Sequence, residues 1–523
     1  MLQLKTALAQ IVRNFRIEPA MPYELERDPY SIVLAPIDGA SVKFVSRFFM
    51  RKSFWEYFYD LKKKFPQDCV GIYLGLQPGL VVQSPELAKK VLVDADCFQH
   101  RFTYSGTVGD PIGSLNLFVS KGRLRKDLQQ AYSPLFTTAR LKTVTTLMNI
   151  NAQDLKEKIQ KDFVEEGKRV NIKKLMTMYV TDTLAFSVFG LRLSTLKGEK
   201  SPLWDITSHI TKCNFSRGME ILTIFFIPSL AEALRMKFFS GPATEIFKKM
   251  FWSVVKLRQA KGEKNNTDLL EYFLKLRDKF AAIGYDDLSE NLMLSQAAAF
   301  IMASIETTTV TLTYTIFELA YHQEEQEKLY NEINDVVSRS GKNVLDYTEL
   351  SELKYLIAVI NETLRKCVPL QHLDRVPVND YQLTDDIVLE KGIPIMVNVA
   401  ALHHDERFFP EPNEWRPERF LTSSEFDALN YTFLPFGEGH RSCIGKRYGM
   451  LQLKTALVQI VHNFRIEPIV PYELKSDPYS IVLAPIDGAS VKGFRDLLKR
   501  GRLIYRGIPC TRLSTSTKYE AHI

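Results

Sequence analysis

The sequence predicts one large, mainly helical domain with a small β portion, and three observations carry that prediction. Helical periodicity dominates from about residue 85 to residue 336. The longest helical run, residues 287–321, is apolar around most of its middle (293–314), as a helix buried through a domain centre must be. At about 1.5 Å rise per residue it amounts to roughly ten turns. Extended segments are few and short: residues 72–83 alternate like strands around Gln77-Pro78-Gly79, and residues 381–389 and 392–399 form a second group.

Ahead of these elements, residues 45–65 (VSRFFMRKSFWEYFYDLKKKF) are amphipathic and basic, with a face suited either to a core or to a membrane surface. After them a Pro-rich meander runs over residues 408–420. Residues 493–523 are basic, carry a Ser/Thr run and lack apolar periodicity, which predicts a disordered tail.

The bulk numbers exclude several classes. With 45% apolar and 25% charged residues in 523, the chain has the makings of a sizeable core. A net charge of +7, from 68 basic and 61 acidic residues, is too dilute for the footprint of a nucleic-acid binder. An acidic protein partner or an anionic membrane surface is compatible with it. Cys69, Cys97, Cys213, Cys367, Cys443 and Cys510 are scattered without a CxxC, so a structural zinc site is not expected. Free thiols in a reducing compartment are expected instead, most of them as small buried hydrophobes. No run of about 18 uncharged apolar residues predicts a transmembrane helix.

The chain repeats itself. Residues 1–43 and 450–492 differ only at Ala9/Val458, Arg13/His462, Ala20/Ile469, Met21/Val470, Glu26/Lys475 and Arg27/Ser476. Two distant copies do not make a solenoid, which needs about three adjacent units. Each copy is a helical pattern followed by Pro-punctuated extended segments, and the same pattern twice does not require the same role twice.

Around one cysteine the residue types become chemically specific. Phe436-Gly437-Glu438-Gly439-His440-Arg441-Ser442-Cys443-Ile444-Gly445 fits F-x-x-G-x-R-x-C-x-G. Gly437 and Gly439 permit a tight loop, and Gly445 permits close approach of the succeeding helix. A helix beginning just after Cys443 aims its positive end and free N–H groups at the sulfur, favouring thiolate. Upstream, Glu362 and Arg365 stand at i and i+3, on one face of a helix. On the long helix, Ala303-Ser304-Ile305-Glu306-Thr307-Thr308 places an acid beside an alcohol.

With these motifs in this order, residues 44–492 resemble the cytochromes P-450, haem-thiolate monooxygenases, and most resemble the animal microsomal class, insect enzymes in particular. The resemblance implies haem b lying between the long helix and the cysteine loop, with Cys443 as axial ligand of the iron. Phe436 then shields the sulfur, and Arg441, Arg375 and Arg125 pair with the propionates. Glu362 and Arg365 lock onto the meander at Arg416. Glu306 relays protons and Thr307 stabilises iron-bound dioxygen. The chain departs from the family at Ser304, where Gly is usual, with a hydroxyl that could bond back to the Phe300 carbonyl. It departs again at Lys121, in the usual Trp position.

The family's distal pocket maps to residues 98–117, 215–239, 298–307, 369–373 and 475–476, whose apolar character implies a lipophilic small-molecule substrate. Electrons are expected from NADPH through NADPH-cytochrome P-450 reductase, with cytochrome b5 as a further candidate partner. Docking is expected on His440, Arg441, Lys446 and Arg447. The resemblance implies the cytosolic face of the endoplasmic reticulum membrane, although residues 1–43, which lack the cysteine loop, stand where relatives carry an anchor. Those residues are most simply the end of a neighbouring gene fused to this one, in the genome or only in the gene model, the alternative being a true extension that docks on the enzyme surface. Membrane contact then falls to residues 222–239 or 45–65. A catalytically impaired haem-binding relative, and a haem-thiolate isomerase or dehydratase, are the alternatives.

Overall fold

The computed structural model describes residues 53–74, 77–102, 109–166, 169–211, 214–261, 269–421, 430–469, 472, 475–486 and 488–496, with strands β1 (Val33–Leu34) and β2 (Val42–Lys43). The small β portion forms early. β3 (Cys69–Leu74) and β4 (Gln77–Val82) pair antiparallel with Tyr73 opposite Pro78, so Gln77-Pro78-Gly79 lies inside a strand and is not the turn. Pro78 is tolerated because β4 gains its second neighbour only from Leu80 onward. Gly79 packs under Pro394, whose carbonyl oxygen would stand 3.2 Å from an added Cβ.

Helix α1 (Phe54–Lys64) opens with a capping box from Ser53 and Glu56 and buries Phe54, Phe58 and Leu61. Phe54 stacks on Phe226 at 5.0 Å and Phe58 on His372 at 4.9 Å. The apolar face of the predicted stretch 45–65 is therefore core wherever it is described.

The helical body comes next in the chain. It comprises α2 (Pro85–Val93), α3 (Gly122–Tyr132), α4 (Thr138–Lys158), α5 (Ile172–Phe189), α6 (Pro202–Thr211), α7 (Phe215–Phe226), α8 (Gly241–Lys261) and α9 (Leu270–Ala282). The predicted long helix is α10 (Ser289–Tyr321), preceded by a 3-10 turn at Asp286–Leu288. It is buried along most of its length because its neighbours, α5 and α9 foremost, surround it. α11 (Gln323–Ser340), α12 (Lys354–Lys366) and α13 (Lys446–Asn463) complete the helical core.

β6 (His372–Arg375) and β9 (Ile395–Asn398) join the first two long strands in the order β3-β4-β9-β6, with β4 and β9 parallel. β7 (Tyr381–Thr384) and β8 (Ile387–Leu389) form a separate hairpin. β5 (Val170–Asn171) pairs with β11 (Ser490–Val491), and β10 (Phe464–Glu467) pairs with β12 (Gly493–Asp496).

That last pairing corrects the predicted tail. The ordered body extends through residue 496, because Phe494 is buried opposite Ile466 and supplies the apolar contact that a short basic strand conceals. The remainder, 497–523, lies outside the described residues.

The two copies of the repeat behave differently. Residues 31–43 and 480–492 are identical in sequence. In the first copy Val33–Leu34 pairs with Val42–Lys43. In the second, Val482 and Leu483 pack with Val310 and Tyr314 of the long helix, and Ser490–Val491 pairs with β5. Tertiary surroundings, not local sequence, choose the strand partner.

Candidate active site

The cysteine loop is built by backbone hydrogen bonds. Gly437 N–H donates to the Leu434 carbonyl (3.0 Å), Ser442 N–H to Gly439 (3.1 Å) and Cys443 N–H to Phe436 (2.8 Å). Gly439 has φ +72° and an added Cβ would stand 2.0 Å from the Leu92 carbonyl oxygen, so only glycine fits. Gly437, at φ +66°, needs glycine for its conformation alone. Helix α13 starts three residues after Cys443 with Gly445 as its N-cap, as the spacing predicts.

Cys443 is exposed as a residue, yet protein atoms crowd around its thiol. That burial dominates and pushes the Cys443 thiol up from its ordinary value. The N–H groups of Gly445 and Lys446, with the charges of Arg101 and Lys446, pull the other way without prevailing. The helix end thus favours thiolate less than the sequence implied, and a metal that takes the sulfur must supply the rest. The Phe436 ring is half-buried and carries the Lys446 ammonium 5.4 Å from its centroid.

Four guanidinium groups converge beside the loop. Arg441 is buried and donates to the carbonyls of Gln99 (2.9 Å) and Ser120 (2.9 Å), with longer contacts to Leu117 and Phe118. Arg125, on α3, donates to the His440 carbonyl. Arg375, at the end of β6, donates to the Asp374 carbonyl (2.8 Å). Arg101, which sequence reasoning missed, pairs with Asp374 at 2.9 Å and lies over the Phe118 ring.

Burial and their mutual repulsion push Arg441 down to about 8 and Arg375 down to about 9. His440 is pushed down to about 4 by burial and by Arg375, Arg125 and Arg441. Among the described residues, the Nε atoms of Arg101, Arg125 and Arg375 and both ring nitrogens of His440 have no hydrogen-bond partner. Such a crowded, incompletely paired cation cluster fits a ligand that brings carboxylates, as the two propionates of haem would.

Lys121 precedes α3, its ammonium lowered by burial and by Arg441. It adds positive charge where the family places Trp. Arg441 turns inward and His440 is held neutral, so neither offers surface charge to a partner; this corrects the predicted docking set. Lys446 and Arg447 remain exposed.

On α10, Met302, Ala303, Ser304, Glu306 and Thr307 form a partly open patch in a buried stretch running from Leu292 to Ala320. One turn earlier, the Phe300 ring meets Tyr448 of α13 edge-on at 5.2 Å, tying the long helix to the cysteine helix. Thr307 Oγ1 donates to the Ala303 carbonyl at 2.7 Å. The back-bond expected at Ser304 is therefore made by Thr307, and no bond runs from Ser304 to Phe300. Glu306 forms an ion pair with Lys173 of α5 at 2.9 Å, with the two side chains 12% and 17% exposed respectively. It is not a solvated carboxylate, and sequence reasoning did not find this partner.

Glu362 and Arg365 meet as predicted, in a bidentate pair at 2.8 Å on both arms, fully buried. Arg365 also donates to the carbonyls of His403 (2.8 Å) and Glu414 (3.1 Å). Arg416 joins through its backbone N–H to Glu362 (2.9 Å), while its guanidinium turns out to Pro410 and Glu411. The second cation on Glu362 is Arg419, at 3.4 Å.

His403 links this knot to the cysteine loop. Its Nδ1 meets the Arg365 carbonyl (3.1 Å), and Leu434 N–H donates to its Nε2 (2.8 Å). Nε2 accepts only in a neutral ring, and burial pushes His403 down to about 3. A folded value below the unfolded value of about 6.5 means that the stabilisation is complete above pH 6.5 and is lost as pH falls toward 3. Thermal unfolding of the chain should therefore drop in midpoint over that window. His403→Gln should flatten the slope; an unchanged slope would dismiss His403 as its source.

The aromatic segments 98–117 and 215–239 approach one another. Asp110 of the first accepts from Phe238 N–H of the second (2.6 Å), and Phe225 lies 6.1 Å from Phe118, one residue past the first segment. Ile112, Phe239, Ala298 and Ile301 line a small apolar cavity together, bringing three of the predicted distal segments to one place. Residues 103–108 of the first segment lie outside the described residues.

Comparison with known proteins agrees with this arrangement. The profile of the family described as Cytochrome P450 matches residues 38–492. Cytochrome P450 6j1 of Blattella germanica is 32% identical over 419 residues, covering 79% of this chain and 82% of the relative. Cytochrome P450 6k1 of the same organism is 30% identical over 470 residues (85% and 88%). The probable cytochrome P450 6d5 of Drosophila melanogaster is 31% identical over 463 residues (84% and 90%). The chain belongs to the cytochrome P450 family, and is an oxidoreductase of the monooxygenase kind.

Proposed function

We propose that Cys443 would hold the iron of haem b through its sulfur and that the chain inserts one oxygen atom from dioxygen into a lipophilic substrate. The observation that carries this reading is the convergence of Cys443, an exposed residue just before α13, with the incompletely paired arginine cluster. Bound there, haem would supply the redox chemistry that activates dioxygen, with its electronics tuned by the Cys443 thiolate.

The chain's own residues do the rest. Arg101, Arg125, Arg375 and Arg441 would hold the propionates, and Gly445 caps the helix that follows Cys443. Glu306 places a carboxylate beside Thr307, where it would relay protons, with Lys173 fixing where that carboxylate lies. The apolar segments around Ile112, Phe239 and Ile301 favour a substrate without formal charge. The test is oxygen-dependent NADPH consumption with a reductase across a panel of lipophilic xenobiotics, lipids and hormones. NADPH consumption without product on every member would contradict the reading.

Arg125→Ala should lower haem retention by roughly tenfold, the loss of about one charge-assisted contact. Unchanged haem content after extended dialysis would remove Arg125 from the propionate set. The reductase, and cytochrome b5 as an alternative donor, should meet the face carrying Lys446 and Arg447, with exposed Arg123 and Lys126 of α3 beside Arg125. First-electron transfer should slow several-fold between low and high ionic strength. Salt-independent transfer would rule out this docking mode.

Membrane contact is assigned to the short helix Pro228–Ala233 after α7 and its C-cap, where Leu230 and Leu234 are 43% and 58% exposed while Leu222, Ile224 and Phe226 are core. Among the described residues no helix is long and apolar enough to cross a membrane. We place the protein on the cytosolic face of the endoplasmic reticulum by family resemblance. Residues 1–43 are taken as a fused copy of the C-terminal segment.

A further inference from the structure

A second apolar cavity, of about 370 Å³, opens between α5, α6 and α8. Phe189, Leu203 and Met250 form its buried floor and half-buried Ile246 one wall. Its volume falls within the range of small-molecule sites, about 300–1,000 Å³. No residue of α10 or of the cysteine loop lines it, so it is separate from the site of oxidation.

The rim is polar on one side only. Lys249 and Ser253 stand there at i and i+4 on α8, exposed and on one face. Among the described residues Lys249 has no hydrogen bond or ion pair; Glu245, one turn earlier, does not reach it. Arg258, further along α8, is already committed to the Phe189 carbonyl at 2.9 Å. Lys249 is thus a free cation at the mouth of a pocket that is otherwise hydrocarbon.

A ligand matching both features has an apolar body that fills the floor and a single anionic end. We propose that this cavity binds a single-chain aliphatic carboxylate, with its chain over Phe189, Leu203 and Met250 and its carboxylate between Lys249 and Ser253. A doubly charged or polar metabolite would waste the floor, and an uncharged lipid would leave Lys249 unused. The site stands apart from the reading of Cys443 and does not depend on turnover.

The test is calorimetric titration of the haem-loaded protein with dodecanoate, with the iron already saturated by an azole inhibitor. One equivalent should still bind. Affinity should rise about fourfold per methylene from octanoate until the cavity is full, and then level off. Lys249→Glu should weaken dodecanoate roughly tenfold or more and leave methyl dodecanoate unchanged. Ile246→Trp, which fills the cavity, should abolish both and leave azole affinity unaltered. Because Lys249 is exposed, its variant decides the matter even where the tryptophan variant fails to fold. Binding that vanishes under azole, that survives Lys249→Glu undiminished, or that is absent throughout would overturn the proposal.

Discussion

Arg365→Ala is expected to destabilise the protein by roughly 3–5 kcal/mol, the usual cost of leaving one partner of a buried ion pair alone. The removed guanidinium satisfies both Glu362 oxygens and the His403 carbonyl, all three in fully buried residues, and also the part-buried Glu414 carbonyl. Through His403 the loss reaches Leu434 and the loop that ends in Cys443, so haem binding should fall together with stability. Arg416→Ala offers the contrast. Its side chain is 44% exposed and its tie to Glu362 is a backbone N–H that alanine retains. A change within about 0.5 kcal/mol is expected there. Denaturant unfolding of the two variants checks both numbers; equal losses would mean that the Arg416 guanidinium matters as the family pattern implied.

The second large effect is chemical. Cys443→Ala should reduce reductase-supported turnover to background while leaving the fold close to intact. The loop is held by main-chain bonds from Gly437, Ser442 and Cys443 itself, and none of these bonds runs through the sulfur. The arginine cluster should still attract the propionates, so residual, weakly held haem with an altered Soret band is expected in place of none. Turnover retained by the alanine variant would require a different iron ligand.

The parts of this site legible in the sequence are those written contiguously. The loop from Phe436 to Gly445 dictates its own turns, and Glu362 with Arg365 is a helix-face pair one turn apart, so both could be read directly. The groups that close each unit come from far along the chain. Arg101 lies 273 residues from Asp374, and His403 lies 38 from Arg365 and 31 from Leu434.

No local pattern marks these residues as partners. Whether Arg416 contributes a side chain or an amide is a question of backbone direction, which residue identity does not encode. The same limit hid Lys173 behind Glu306, and it hid the strand Gly493–Asp496, whose one apolar anchor is Phe494. The repeat makes the point most directly, since the identical residues 31–43 and 480–492 pair with different partners. Helix class and the central helix were readable because burial on all sides leaves a long apolar run.

The most direct test of the account is the carbon monoxide difference spectrum of the dithionite-reduced, haem-reconstituted protein. The account predicts the strongly red-shifted Soret band of thiolate-ligated haem, present in the wild-type chain and absent from Cys443→Ala. A histidine-type band, no band at all, or a thiolate-type band that persists in Cys443→Ala would contradict it.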